Sequence, residues 1–267
     1  MRLNITHKTT YSYDRPVHYA LLQLRMTPRS AAGQKVLNWS TTLEGATSQV
    51  TYDDHFRNVT ELIEMDAGSS AVSITCQGEV EVENLNGVIG MGTGLAPLWL
   101  FLQQTPATVP GPTIRKIAQQ VKKATEASQL DGMHQLSGAI ADAVTYRTGM
   151  TLSTTPAEDA ASEGQGVCQD HAQIMIAAAR HLGLPARYVS GYLLMDEVVD
   201  QEASHAWAEV WIEGLGWVGF DVSNAVCPDD RYVRVALGRD YGEAAPVHGL
   251  RQGNATEELC VSLQVQQ

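Results

Sequence analysis

Cys168 lies in the stretch GQGVCQDHAQIMIAAARHLGLPARYVSG, residues 164–191, just after two glycines and at the head of a long apolar run. A thiol in that place is either a nucleophile for acyl transfer or a small core residue. The run ends at His181-Leu182-Gly183 with Pro185 beyond, which predicts a helix headed by Cys168 and closed by Gly183. A helix start favours an anion through its unpaired N–H groups and its dipole, by ~0.3–1 kcal/mol when exposed and up to ~2 when partly buried. One pKa unit is about 1.4 kcal/mol, so a helix end alone moves a thiol by only about one unit. Strongly activated cysteines also have an imidazolium beside them. The chemistry therefore demands a histidine.

Two histidines qualify. His171 lies three residues on, on the same face of the predicted helix. His205 opens HAWAEVWI, where His205, Trp207, Glu209 and Trp211 share one strand face and Ala206, Ala208, Val210 and Ile212 form an inward apolar one. A third group should orient the imidazole, commonly Asp or Asn. GWVGFDVS supplies Asp221, sixteen residues after His205. A hairpin folding about Glu213 sets the two directly opposite on one face. Gly214 and Gly216 favour a turn nearer Leu215, which would slide Asp221 by about three residues and flip its face.

The elements that must position these residues divide into two regions. Before residue 105 the chain alternates with period two: Leu3, Ile5 and His7 share a face, as do Val72, Ile74 and Cys76, and Val80 and Val82. Such patterning predicts half-exposed antiparallel strands, with Cys76 as a core thiol. The stretch Gly87–Leu102 reads as a buried connector, and TPATVPGP, 105–112, as a linker. Thr113 is placed to cap a helix carrying Ile114, Ile117, Ala118 and Val121. Leu136, Ile140, Ala143 and Val144 mark a second helix, and strands follow the Cys168 helix at 186–194, 204–212 and 216–223. A final strand is expected around 259–265. These elements predict an α+β chain: an antiparallel β domain, 1–105, then a domain of helices and antiparallel strands, 106–267.

Composition narrows the function. The 267 residues can bury a sizeable core, and the net charge of −12 disfavours a nucleic-acid partner. The cysteines, at 76, 168, 227 and 260, form no CxxC pair and no short Cys/His spacing, so neither a metal site nor a disulfide framework is indicated. The N-terminus has no signal-like apolar run and no stretch has the length of a membrane span, so a cytoplasmic protein with reduced thiols is expected. Trp207, Trp211 and Trp217 read as packing residues and Tyr192 as structural. The acidic loop 195–204, just before His205, reads as solvated; its charge could also attract an amine-bearing or basic peptide.

Four blocks in order, GVCQDHA, GLPARYVSGY, SHAWAEVWI and GWVGFDVSN, resemble the transglutaminase-like superfamily of bacterial cysteine hydrolases, relatives of the papain fold. HKTTYSYDRPV, LRMTPR and YDDHFRNV resemble the β-rich N-terminal region of one bacterial branch. The resemblance implies a papain-like transglutaminase core with Cys168 as nucleophile, His205 as its base and Asp221 as orienter, in preference to His171. Three departures stand out. Val222-Ser223 replaces a common Pro-Thr, Arg57 stands where glycine is expected, and no tryptophan lies between Trp99 and Trp207 to hold an oxyanion. The Cys168 backbone N–H is then the first oxyanion donor and Gln165 a candidate second.

What the resemblance implies is a cysteine-dependent amide-bond hydrolase or acyl transferase working through a thioester on a peptide or other amide. Hydrolysis is favoured, with no cofactor and no calcium. The competing expectation is a binding or assembly module whose chemistry is idle.

Overall fold

The computed structural model describes residues 1–92, 95–195, 200–201 and 203–267. The front half forms β1 (Arg2–Tyr13), β2 (Tyr19–Thr27), β3 (Gln34–Glu44), β4 (Ala46–Asp53), β5 (Val59–Met65) and β6 (Ala71–Val82). They make two antiparallel sheets, and the expected alternation holds: Leu3, Ile5, His7, Val72, Ile74, Cys76, Val80 and Val82 are all buried. Leu22, Leu24, Met26 and Ile63 of one sheet pack on Val72, Ile74 and Cys76 of the other. Burial pushes the Cys76 thiol up to about 11, consistent with a core thiol.

The second half forms β7 (Val88–Gly90), α1 (Pro112–Ala127), α2 (Gln129–Ala143), β8 (Thr145–Tyr146), α3 (Ala157–Glu163), β9 (Gln165–Gly166) and α4 (Cys168–His181). Then come β10 (Ala186–Leu193), β11 (Asp200–Gln201), β12 (His205–Ile212), β13 (Gly216–Phe220), β14 (Tyr232–Gly238), α5 (Tyr241–Ala244), β15 (Val247–Gln252) and β16 (Glu257–Gln266). An antiparallel sheet in the order β14-β10-β12-β13-β7 carries the helices on one face. Ala206, Ala208, Val210 and Ile212 of β12 meet Ala177, Ala178 and Ala179 of α4 in one buried cluster. Small side chains on both partners let the helix come close to the sheet. Gly183, at φ +85°, closes α4 as expected.

Several expectations change. Helix α1 is capped by Glu158, whose carboxylate accepts from the N–H groups of Gly111, Thr113 and Ile114 at 2.7–3.1 Å, with no side-chain cap from Thr113. Among its described residues the connector after β7 is mostly exposed: Met91, Leu95 and Trp99 face out, Phe101 is buried, and Ala96 and Leu100 pack against its cluster. The tail crosses back, with β15 pairing β2 and β16 pairing β1, while β7 joins the core sheet. Residues 247–266 therefore belong to the front sheets and not to the 106–267 unit.

Two amides lock the halves together. Gln34 donates to the carbonyl of Arg234 and accepts from its N–H, at 2.9 and 2.8 Å. Asn58 does the same to Leu237, at 2.7 and 2.8 Å. Each amide imitates a strand residue and satisfies backbone groups of β14, the edge strand of the core sheet.

Candidate active site

Cys168 is the first residue of α4 and is half-buried. Asp170 anchors this helix start: its Oδ2 accepts from the Val167 N–H at 2.8 Å and from Thr151 Oγ1 at 2.6 Å. Gly166 is needed because a Cβ there would lie 2.7 Å from Asp170 Cβ and Oδ2. Gln169 donates to the Ser153 carbonyl at 3.0 Å, so the 147–156 loop is tied to the helix start at two points. The glycine before the cysteine and the acid after it are thus one packing unit that fixes where the sulfur sits.

His205 begins β12 and is buried beside Asp221, just past β13. The hairpin closes Ile212 against Gly216, with Gly214 at φ +82° in its turn. Pairing runs Ala208 to Phe220, so extending it puts Asp221 opposite Trp207 and diagonal to His205. The turn centre lies between the two considered from sequence, and the slip is two residues. An even slip keeps Asp221 on the face of His205, and a diagonal neighbour is still within reach of a long side chain.

His205 Nε2 meets Asp221 Oδ2 at 2.6 Å, which leaves Nδ1 for Cys168. Burial alone would favour the neutral ring. The hydrogen bonds with Asp221 and Cys168, and their charges, outweigh it and raise the imidazole to about 10. Asp221 Oδ2 also accepts from Asn224 Nδ2 at 2.7 Å and Tyr232 Oη at 2.8 Å. Burial opposes charge on this carboxyl; the His205, Asn224 and Tyr232 bonds prevail and hold it below the ordinary aspartate value. At neutral pH the ring is a held cation between a carboxylate and a sulfur. Sequence reasoning missed Asn224 and Tyr232. Asn224 stands in the quoted block GWVGFDVSN, three residues after Asp221, while nothing local marks Tyr232.

His171 is not part of this line. Its Nδ1 meets Ser223 Oγ at 2.8 Å and its Nε2 the Val144 carbonyl at 2.9 Å, and burial pushes its pKa down. Ser223, the second residue of the Val-Ser pair, is thus the hydroxyl partner of His171. Gln165 accepts from Arg147 Nη1 at 3.2 Å across the β8–β9 pair. Tyr146, which pairs Gly166 and is half exposed, has its hydroxyl pushed up by burial, then by Cys168 and Asp221. Its ring tilts against His171, with centroids 6.2 Å apart.

Of the acidic loop 195–204, residues 196–199 and 202 lie outside the described residues. Tyr192 is buried against His7, at 3.0 Å from Nδ1, in a structural role. Trp207 packs with Val189, Leu193 and Tyr232. Among the described residues no helix is long and apolar enough to cross a membrane.

The chain is similar to known proteins over most of its length. A model of the transglutaminase-like superfamily matches residues 115–222, and one of the bacterial transglutaminase-like N-terminal region matches 3–81. An uncharacterized protein of Mycobacterium leprae is 28% identical over 277 aligned positions, covering 99% of this chain and 98% of that one. A protein-glutamine gamma-glutamyltransferase of Pseudomonas aeruginosa is 33% identical over 97 residues, 32% of this chain and 14% of that one. The solved structure of a cysteine protease candidate from Cytophaga hutchinsonii superposes with a TM-score of 0.74 at 22% identity, covering 100% of this chain and 91% of that one; the likeness is one of fold. With a papain-like α+β core behind a β-rich front region, the chain belongs to the transglutaminase-like superfamily.

Proposed function

We propose that the protein is a Cys-His-Asp hydrolase of amide bonds, with a peptide or similar amide as substrate. The observation that carries this reading is the buried His205 imidazole held between Cys168 and Asp221. The Cys168 thiolate attacks the amide carbonyl carbon, and the carbonyl π pair moves to oxygen. The N–H of Cys168, which has no intrahelical partner in the first turn of α4, faces the developing oxyanion. His205, as imidazolium, protonates the leaving nitrogen; the C–N bond breaks and a thioester remains. The ring, now neutral, takes a proton from water, whose oxygen attacks the thioester and returns the sulfur as thiolate. Asp221 fixes the ring and supports its cation in both halves.

A second reading, transamidation, has support in the likeness to the Pseudomonas aeruginosa glutamyltransferase. An amine then takes the place of water at the same thioester. Hydrolysis is preferred because Cys168 is half-buried at the surface, where water reaches a thioester without a tunnel. An idle fold is disfavoured, because Cys168, His205 and Asp221 are all present and the last two are hydrogen-bonded. A cytoplasmic setting with reduced thiols fits the four free cysteines.

The test is turnover of a peptide and amide library by the wild type and Cys168→Ala, with and without a dansylated alkylamine. Carboxylic acid products made only by the wild type support hydrolysis. Dansyl incorporation in preference to acid supports transamidation, and no difference between the two proteins ends both readings.

A further inference from the structure

The face of the core sheet turned away from the helices carries a second feature, which the triad chemistry does not use. A cavity of about 700 Å³ opens there, within the range of small-molecule sites. Its walls include Phe56 and Arg57 from the front region and Arg187, Trp211, Trp217 and Arg234 from the core sheet. At its base Glu209, fully buried, is gripped by both core arginines. Arg187 reaches Oε2 at 2.6 Å and Arg234 reaches Oε1 at 2.7 Å. Burial works against charge on the Glu209 carboxyl, yet the two guanidinium groups hold it below the ordinary value. The Arg187 guanidinium lies 3.9 Å over the Trp217 ring.

The charge balance there is uneven. Two guanidinium groups and one carboxylate leave this buried trio with a net positive charge. No Asp or Glu is among the described residues that line the cavity. In a chain of net charge −12, a cationic aromatic recess is unlike the surface as a whole. A buried net charge is costly unless an opposite one joins it.

The lip carries an independent mark. Arg57 stands at φ +67°, a left-handed backbone that glycine adopts freely and an L side chain adopts at a cost of ~1–2 kcal/mol. Strained residues cluster at ligand sites. Here an arginine occupies a strained position where a glycine would relieve the backbone.

We propose that this cavity binds a small organic carboxylate with a flat, apolar body. The body lies against Trp211, Leu95, Leu98 and Leu237, and the carboxylate is received by the Arg187, Arg234 and Arg57 side of the cavity. The site is separate from the Cys168 chemistry and does not depend on it.

The test is isothermal titration of the full chain with 2-naphthoate and with its neutral isostere 2-naphthamide. One site is expected, with the acid bound at least about tenfold more tightly than the amide. Arg57→Gly should keep or raise the melting temperature and weaken naphthoate about tenfold. Arg234→Gln should weaken it at least as much; should that variant fail to fold, Arg57→Gly decides alone. Cys168→Ala should bind like the wild type, so loss of amidase activity leaves this result untouched. Absence of binding at about 1 mM, equal affinity for acid and amide, or undiminished affinity in Arg57→Gly overturns the proposal.

Discussion

Tyr232 donates its hydroxyl proton to Oδ2 of Asp221 at 2.8 Å, the same oxygen that His205 Nε2 meets at 2.6 Å. A tyrosine from a strand not adjacent to the hairpin thus shares in fixing the carboxylate. Tyr232→Phe removes one donor to a charged acceptor, an interaction worth ~1.5–3 kcal/mol. The Asp221 pKa then rises, because its carboxylate has lost a donor and keeps only His205 and Asn224. The acid limb of the kcat/KM profile should move to higher pH, with the maximum reduced roughly three- to tenfold. An unchanged pH profile would show that Tyr232 only packs.

Glu209 makes a stability prediction away from the triad. Removing its charge in Glu209→Gln leaves Arg187 and Arg234 facing each other while buried, at a cost of about 3–5 kcal/mol. Its folded pKa lies below the ordinary 4.5, so its contribution is full above that value and is lost as pH falls through the folded value. Thermal unfolding of the wild type should therefore weaken below pH 4.5 more steeply than that of the variant. Parallel curves would count against the trio as a source of acid sensitivity.

Gly166→Ala tests the packing of the helix start. A Cβ 2.7 Å from the Asp170 side chain forces that carboxylate off the Val167 N–H. Overpacking of this kind costs about 1–3 kcal/mol. Differential scanning calorimetry should show the loss, and turnover should fall further than stability explains, because Cys168 is carried on the displaced turn.

Tyr146, Met150 and Leu152 are exposed on the segment tied to the start of α4. They offer an apolar surface on the loop that is bonded to the helix turn carrying Cys168. Tyr146→Ala should raise KM severalfold on apolar peptide amides while changing kcat by less than about twofold. A loss confined to kcat would move Tyr146 into the oxyanion machinery.

Much of the site was legible because its parts are local. The apolar run after Cys168, the glycine at 183 and the strand parity of HAWAEVWI all act over a few residues, and each predicted the element found. What escaped the sequence is non-local. The diagonal placement of Asp221 depends on whether the turn centres on Glu213, Gly214 or Leu215, a choice that one residue of turn geometry makes. Glu158 caps a helix more than forty residues upstream, and Gln34 and Asn58 bind β14 about two hundred residues away. The pairing of β16 with β1 joins the two ends of the chain. Arg57 stands where the resemblance expects glycine, and its left-handed backbone gives the reason.

In the proposed mechanism His205 keeps the Cys168 sulfur reactive at low pH. Alkylation by iodoacetamide at pH 6, read by peptide mass spectrometry, measures it with exposed Cys260 as an internal reference. An ordinary thiol is well under ~1% thiolate at that pH, so Cys168 should react at least about tenfold faster than Cys260. His205→Ala should erase the difference and His171→Ala should leave it. Equal rates at the two cysteines in the wild type, or an advantage that survives His205→Ala, would contradict the account.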